Sequence, residues 1–136
     1  MGLLQSPNLL FLNKVWAQAA IEAGAVDGLT AADLVDGINI TAAQMEQILT
    51  YFRDNDMNGN GDASDEIPMM GTMGTSGGDF TTYLLNAFTA VPEQHFLMAT
   101  EDGEVYCVAN TDEYREGIKW IRHLFEEGLI AEETFI

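Results

Sequence analysis

The sequence predicts a mainly helical α+β unit with one β-hairpin. Two amphipathic helical stretches with readable caps, at about residues 42–53 and 111–127, point to the helices. Short alternating segments on either side of Asp102-Gly103 point to the hairpin. At 136 residues and 47% hydrophobic composition the chain can bury a real core. It reads as a single unit over residues 1–136, one domain or one piece of a larger one.

The elements follow in order. Residues 9–12 are an apolar patch that reads as a short buried strand or a lead-in to a helix. Asn13 starts an Ala-rich helix that carries Trp16 and runs to about Ala23. The stretch from 24 to 37 is weakly patterned, with a short helix expected after Thr30. Thr41 and Gln44 form a capping box, in which each side chain satisfies the other's free main-chain N–H. Met45, Ile48, Leu49 and Phe52 follow at helical spacing. After Pro68 comes a loop rich in Met and Gly. Asp79 can then cap a helix carrying Phe80, Leu84, Ala87 and Phe88. The hairpin is expected over residues 96–109, with Asp102-Gly103 in a type I′ turn, whose two central residues both need positive φ. Thr111 caps the longest helix, with Tyr114, Ile118, Ile121 and Phe125 on its buried face and Gly128 at its stop. A short turn ends the chain.

The chemistry concentrates between Asp54 and Pro68, DNDMNGNGDASDEIP, where five carboxylates and three Asn share fifteen positions with no Lys or Arg. Such a run repels itself unless a cation sits in it. Oxygen-bearing side chains alternating up to a turn Gly are how a short loop wraps Ca²⁺. Two registers fit. In the first, Asp54, Asp56 and Asn58 lead, Gly59 turns, and Asp62 and Asp65 close the set. In the second, Asp56, Asn58 and Asn60 lead and Gly61 turns. The Asp62 main-chain carbonyl, Asp65 and Glu66 then complete the shell. The same residues also make ordinary solvated turns.

The formal charge of −17 comes from 22 acidic against 5 basic residues. It argues against nucleic acid or an anionic membrane surface as partner. The lone Cys107 excludes an intrachain disulfide and any cysteine-built zinc site. Its place in a strand suits a small buried hydrophobe. His95 and His123 lack a zinc-ligand spacing, and His123 is expected on a solvent face. Arg115, Lys119 and Arg122 balance Asp112, Glu116 and Glu126 along one helix. No Ser-His-Asp order, phosphate loop or metal-hydrolase motif is present. The larger aromatic residues Trp16, Tyr51, Tyr83, Tyr106 and Trp120 could each meet a ligand, but they are residue types that more often serve a core. No ligand-contacting residue can be singled out among them.

Four segments, in order, resemble a known group. They are NLLFLNKVW at 8–16, the 42–53 helix leading into DMNGNGDASDEIP at 56–68 with Asp56 at its head, DGEVY at 102–106, and NTDEYREGIKWIRHLFEEGLIAEETF at 110–135. Together they look like the extracellular solute-binding proteins of bacterial ABC sugar importers, in the lipoprotein-type family 1 group. Three positions depart from the group's pattern. Ala63-Ser64 adds a residue before Asp65, Met57 replaces a Pro, and Ala131 stands where Asp is usual. The 23–40 segment is also longer than in the group.

The resemblance implies part of one lobe of a two-lobe, periplasmic-binding-protein-like (type II) fold. It implies no enzyme activity, a carbohydrate ligand, ABC permease subunits as partners, a monomer, and an extracellular protein anchored as a lipoprotein outside this chain. It also favours the second register, with structural calcium on Asp56, Asn58, Asn60, Asp62, Asp65 and Glu66. The alternatives are a stand-alone, dockerin-like calcium module and a fragment of a carbohydrate-active enzyme.

Overall fold

The computed structural model describes residues 10–35, 38–74, 78–92 and 96–135. Among the described residues four α-helices dominate: α1 (Lys14–Glu22), α2 (Ala42–Asp54), α3 (Phe80–Leu85) and α4 (Asp112–Glu126). Two small antiparallel pairs accompany them. Strands β1 (Met73–Gly74) and β2 (Gly78–Asp79) pair within the Met- and Gly-rich stretch, and β3 (Leu97–Ala99) pairs with β4 (Val105–Cys107). The expectation of one hairpin is therefore corrected to two antiparallel pairs. Glycine carries no side-chain pattern, so the alternation that marks a strand is missing there.

Side-chain caps set the helix starts. The Asn13 carboxamide oxygen accepts the Val15 and Trp16 main-chain N–H groups at 3.1 and 3.3 Å. Thr41 and Gln44 close the expected capping box at 3.1 and 2.9 Å. Asp79 and Thr111 cap α3 and α4 by accepting from Thr81 and Tyr114. Helix α4 ends in the paired bonds of a Schellman motif, Gly128 N–H to the Phe125 carbonyl at 3.0 Å and Leu129 N–H to the Leu124 carbonyl at 2.8 Å. Those bonds satisfy carbonyls that the helix leaves free.

The core joins α2 to the other helices. Met45, Ile48, Leu49 and Phe52 are all buried, and Trp16 of α1 stands edge-on to Phe52 at 5.4 Å. Full burial of each such side chain stabilises the fold by about 1.5–3 kcal/mol. Helix α3 lies against α4, where Gly117 leaves room for Leu85 and Phe88. The buried stripe of α4 is consequently Gly117, Ile121 and Leu124, with Tyr114 half-buried. Ile118 and Phe125, expected on that face, are 42% and 40% exposed. The close approach at Gly117 rotates the buried face away from them.

Three further expectations resolve or change in detail. Residues 10–12 are not a buried strand, with Phe11 exposed, and instead lead into the Asn13 cap of α1, the second of the two expected readings. Helix α3 stops at Leu85, so Ala87 and Phe88 lie in the turn beyond it. The β3–β4 connection is not type I′, because Asp102 does not take positive φ and Gly103 does, at 86°. The Gly103 N–H closes a turn on the Thr100 carbonyl at 3.0 Å, and Thr100 N–H meets the Glu104 carbonyl at 2.8 Å. This is the three-residue connection with one left-handed Gly, which needs a single positive φ.

The C-terminal turn (Glu132–Phe135) packs back on the chain after the acidic loop. Ala131 N–H donates to the Met69 carbonyl at 2.9 Å, and Gly71 N–H donates to the buried Thr134 hydroxyl at 3.2 Å. Among the described residues no helix is long and apolar enough to cross a membrane.

Candidate functional site, the acidic loop

Helix α2 delivers the chain into the loop at Asp54. The loop folds by turning its side-chain oxygens onto its own main-chain N–H groups. Asp56 is the hub: Oδ1 accepts from Gly59 at 2.7 Å and Asn60 at 3.1 Å, and Oδ2 accepts from Gly61 at 2.7 Å. Gly59 and Gly61 have φ of 76° and 90°, which glycine adopts without a Cβ penalty. Asn58 Oδ1 accepts from Asn60 N–H at 2.9 Å, and Asn60 Oδ1 accepts from Asp62 N–H at 2.7 Å.

Glu66 closes the neck. Its Oε1 accepts from Met57 N–H at 2.7 Å and Asn58 N–H at 2.9 Å. Asp65 receives the side-chain amides of Asn58 at 3.3 Å and Asn60 at 2.6 Å. All six residues expected from sequence, Asp56, Asn58, Asn60, Asp62, Asp65 and Glu66, thus share one bonded loop. The Asp62 carboxylate itself turns onto the Ser64 hydroxyl at 2.6 Å and main-chain N–H at 2.9 Å. Those bonds, the hydroxyl's first, hold the Asp62 carboxyl below its usual range.

Asp54 stands apart. Its carboxylate takes the Arg53 guanidinium at 2.7 and 3.2 Å, which lowers the Asp54 pKa. Arg53 also reaches the Glu127 main-chain carbonyl at 2.8 Å, tying the end of α2 to the end of α4. Sequence reasoning missed Arg53. Its signal was that no other basic residue occurs between Lys14 and Arg115.

Among the described residues no three His, Cys, Asp or Glu groups converge to hold a metal ion. The loop's candidate donors include two Asn and a main-chain carbonyl, and every one of them is an oxygen, as a hard cation requires.

The other singled-out residues fall as follows. Tyr83 and Trp120 line one groove of about 290 Å³ with Met45, Leu84 and Asn86. Trp120 also packs on Phe88 at 5.5 Å, and its indole N–H donates to Glu46 at 2.9 Å. Trp16 belongs to the core contact with Phe52, Tyr51 is half-buried, and Tyr106 is 38% exposed on β4. His123 is exposed, as expected, and also meets Glu46 of α2 at 3.1 Å, bridging two helices. His95 lies outside the described residues. Cys107 is half-buried. Arg115, Lys119 and Arg122 pair with Asp112, Glu116 and Glu126, as local charge balance predicts.

Comparison with known proteins gives a consistent result. No family model matches the chain. A curated relative, the fructooligosaccharide ABC transporter substrate-binding protein FusA of Streptococcus pneumoniae serotype 4, is 40% identical over 95 residues. That alignment covers 70% of this chain and 17% of the relative, so the chain spans under a fifth of that protein's length. A solved structure, the S. pneumoniae ABC-transporter substrate-binding protein FusA in complex with kestose, superposes with a TM-score of 0.60 at 40% identity. It covers 69% of this chain and 19% of that one. Neither comparison supports the dockerin-like alternative. The chain is homologous, over most of its length, to one segment of an ABC transporter substrate-binding protein.

Proposed function

We propose that this chain forms part of one lobe of a two-lobe (type II) solute-binding protein that captures an oligosaccharide for an ABC permease. The observation that carries the reading is the 40% identity to a fructooligosaccharide-binding relative, joined to the structural likeness to its kestose complex. The ligand class is therefore a fructose-containing oligosaccharide. The role is capture and delivery without catalysis, by closure of two lobes around the sugar. The whole protein works outside the cell as a lipid-anchored monomer.

Within this reading the acidic loop holds a structural calcium ion. Asp56, Asn58, Asn60, the Asp62 carbonyl, Asp65 and Glu66 supply the oxygens. The pairing of Asp54 with Arg53 supports this register, because it commits the Asp54 carboxylate elsewhere. The cation neutralises crowded carboxylates and fixes the exit of α2.

Calorimetric titration of the complete natural protein with kestose tests the function. Saturable binding with the sugar recovered intact is expected. Absence of binding to kestose and longer fructooligosaccharides, or hydrolysis of the sugar, would overturn the reading.

A further inference from the structure

We infer that Asn58-Gly59 and Asn60-Gly61 are a paired deamidation site that the Asp56 carboxylate holds in check. They are the only two Asn-Gly pairs in the sequence. All four residues are exposed, and nothing stands within 4 Å of where a Cβ on either glycine would lie. Steric cover therefore does not keep water from these bonds.

The chemistry is self-contained. The main-chain nitrogen of the glycine loses its proton to solvent and attacks Cγ of the preceding Asn. A C–N bond forms, the Cγ–Nδ2 bond breaks, and the nitrogen leaves as ammonia after taking up a proton. Water then opens the cyclic imide at either carbonyl, giving aspartate or isoaspartate. No oxidant or reductant is needed.

The fold withholds the attacking atoms. Gly59 N–H and Gly61 N–H, the two nucleophiles, each donate to the same Asp56 carboxylate at 2.7 Å. A carboxylate there keeps the proton on nitrogen, and its charge opposes the amide anion that must form. The electrophiles are tied as well. Asn58 Oδ1 and Asn60 Oδ1 accept main-chain N–H groups at 2.9 and 2.7 Å, while both side-chain amides donate to Asp65. Asp56 thus holds both attacking nitrogens, and its loss frees them together. Each conversion adds a carboxylate to a chain already at −17, and the isoaspartate form adds a methylene to the loop's main chain.

The test ages the full chain in mildly alkaline, chelator-treated buffer. Peptide mapping by mass spectrometry and enzymatic labelling of isoaspartate read out the two sites. A free peptide of residues 54–66 sets the unprotected rate. The chain is expected to deamidate at least about tenfold more slowly than the peptide, the factor set by breaking one charge-assisted hydrogen bond. Asp56→Ala should bring both Asn58 and Asn60 close to the peptide's rate. If circular dichroism shows that Asp56→Ala unfolds, Asp56→Asn takes its place, keeping an acceptor oxygen without the charge, with an intermediate rate and faster amide exchange at Gly59 and Gly61 expected. A wild-type chain that ages at the peptide's rate would overturn the inference. So would a folded Asp56 variant that ages as slowly as wild type.

Discussion

Glu66 allows the loop's own bonding to be separated from its cation chemistry. Its Oε1 accepts two main-chain N–H groups at 2.7 and 2.9 Å, and the side chain is half-buried. A hydrogen bond to a charged group contributes about 1.5–3 kcal/mol net, and partial exposure puts these two at the low end. Glu66→Ala should then cost about 2–3 kcal/mol in the presence of chelator. Glu66→Gln keeps an acceptor oxygen and should cost only about 1 kcal/mol. For a chain of this size each kcal/mol moves the melting temperature by roughly 3–6 °C. Calcium adds a second, independent reading. A ligand at a hundredfold excess over its Kd stabilises by about 2.7 kcal/mol, and a hundredfold weaker site retains only about 0.4 kcal/mol. Thermal melts followed by circular dichroism, with chelator and with calcium, distinguish the effects. Wild type should gain several degrees with calcium, and Glu66→Gln should lose most of that gain while melting roughly 3–6 °C below wild type in chelator. A Glu66→Ala melt within about 1 °C of wild type in chelator would refute the hydrogen-bond reasoning. A full calcium shift in Glu66→Gln would refute Glu66 as a ligand, and no shift in wild type would refute the cation.

Three further outcomes are expected. Gly71→Ala drives a Cβ into Phe80 Cγ and places it 2.8 Å from the Phe80 Cβ. Those atoms lie near the main chain and cannot swing aside, so denaturant unfolding should show a loss of about 1–3 kcal/mol. Glu46→Ala removes the acceptor of the half-buried Trp120 indole and should cost about 1–3 kcal/mol in a thermal melt, whereas Glu46→Gln, which keeps an oxygen there, should cost less. Asp62 has a folded pKa below its unfolded value, so its stabilising contribution is present above about pH 4 and is lost as pH falls through the lowered value. Ser64→Ala removes the main cause, and NMR titration should find the Asp62 carboxyl closer to its ordinary range.

What was legible in the sequence was what is local. The caps at Asn13, Thr41, Asp79 and Thr111 rest on bonds spanning two or three residues, and all four were readable. The acidic loop was legible as a unit for the same reason, since its bonds join residues at most nine apart. The buried face of α4 was misplaced because its key position, Gly117, has no hydrophobic side chain to count. The β1–β2 pair was hidden by its glycines, and the hairpin turn was misread because Asp-Gly serves two connections that differ by one residue. Arg53 to Glu127 and Trp120 to Glu46 each span 74 residues, so no spacing rule could have paired them. Identity was legible in a different way, through the order of four segments, and the 40% identity to the substrate-binding relative agrees with it.

The stems of the acidic loop are held by the far end of the chain. Arg53, just before the loop, is bonded to the Glu127 carbonyl, and Met69 and Gly71, just after it, are bonded to Ala131 and Thr134. Residues 127–134 therefore act as a clasp across the loop's base. A loose loop must give up chain entropy to bring its ends together, and that cost rises with length. Here the protein's own C-terminal turn has already closed the ring. Whatever the loop holds meets a ring already drawn shut, and an alteration some sixty residues downstream would be felt there as slack.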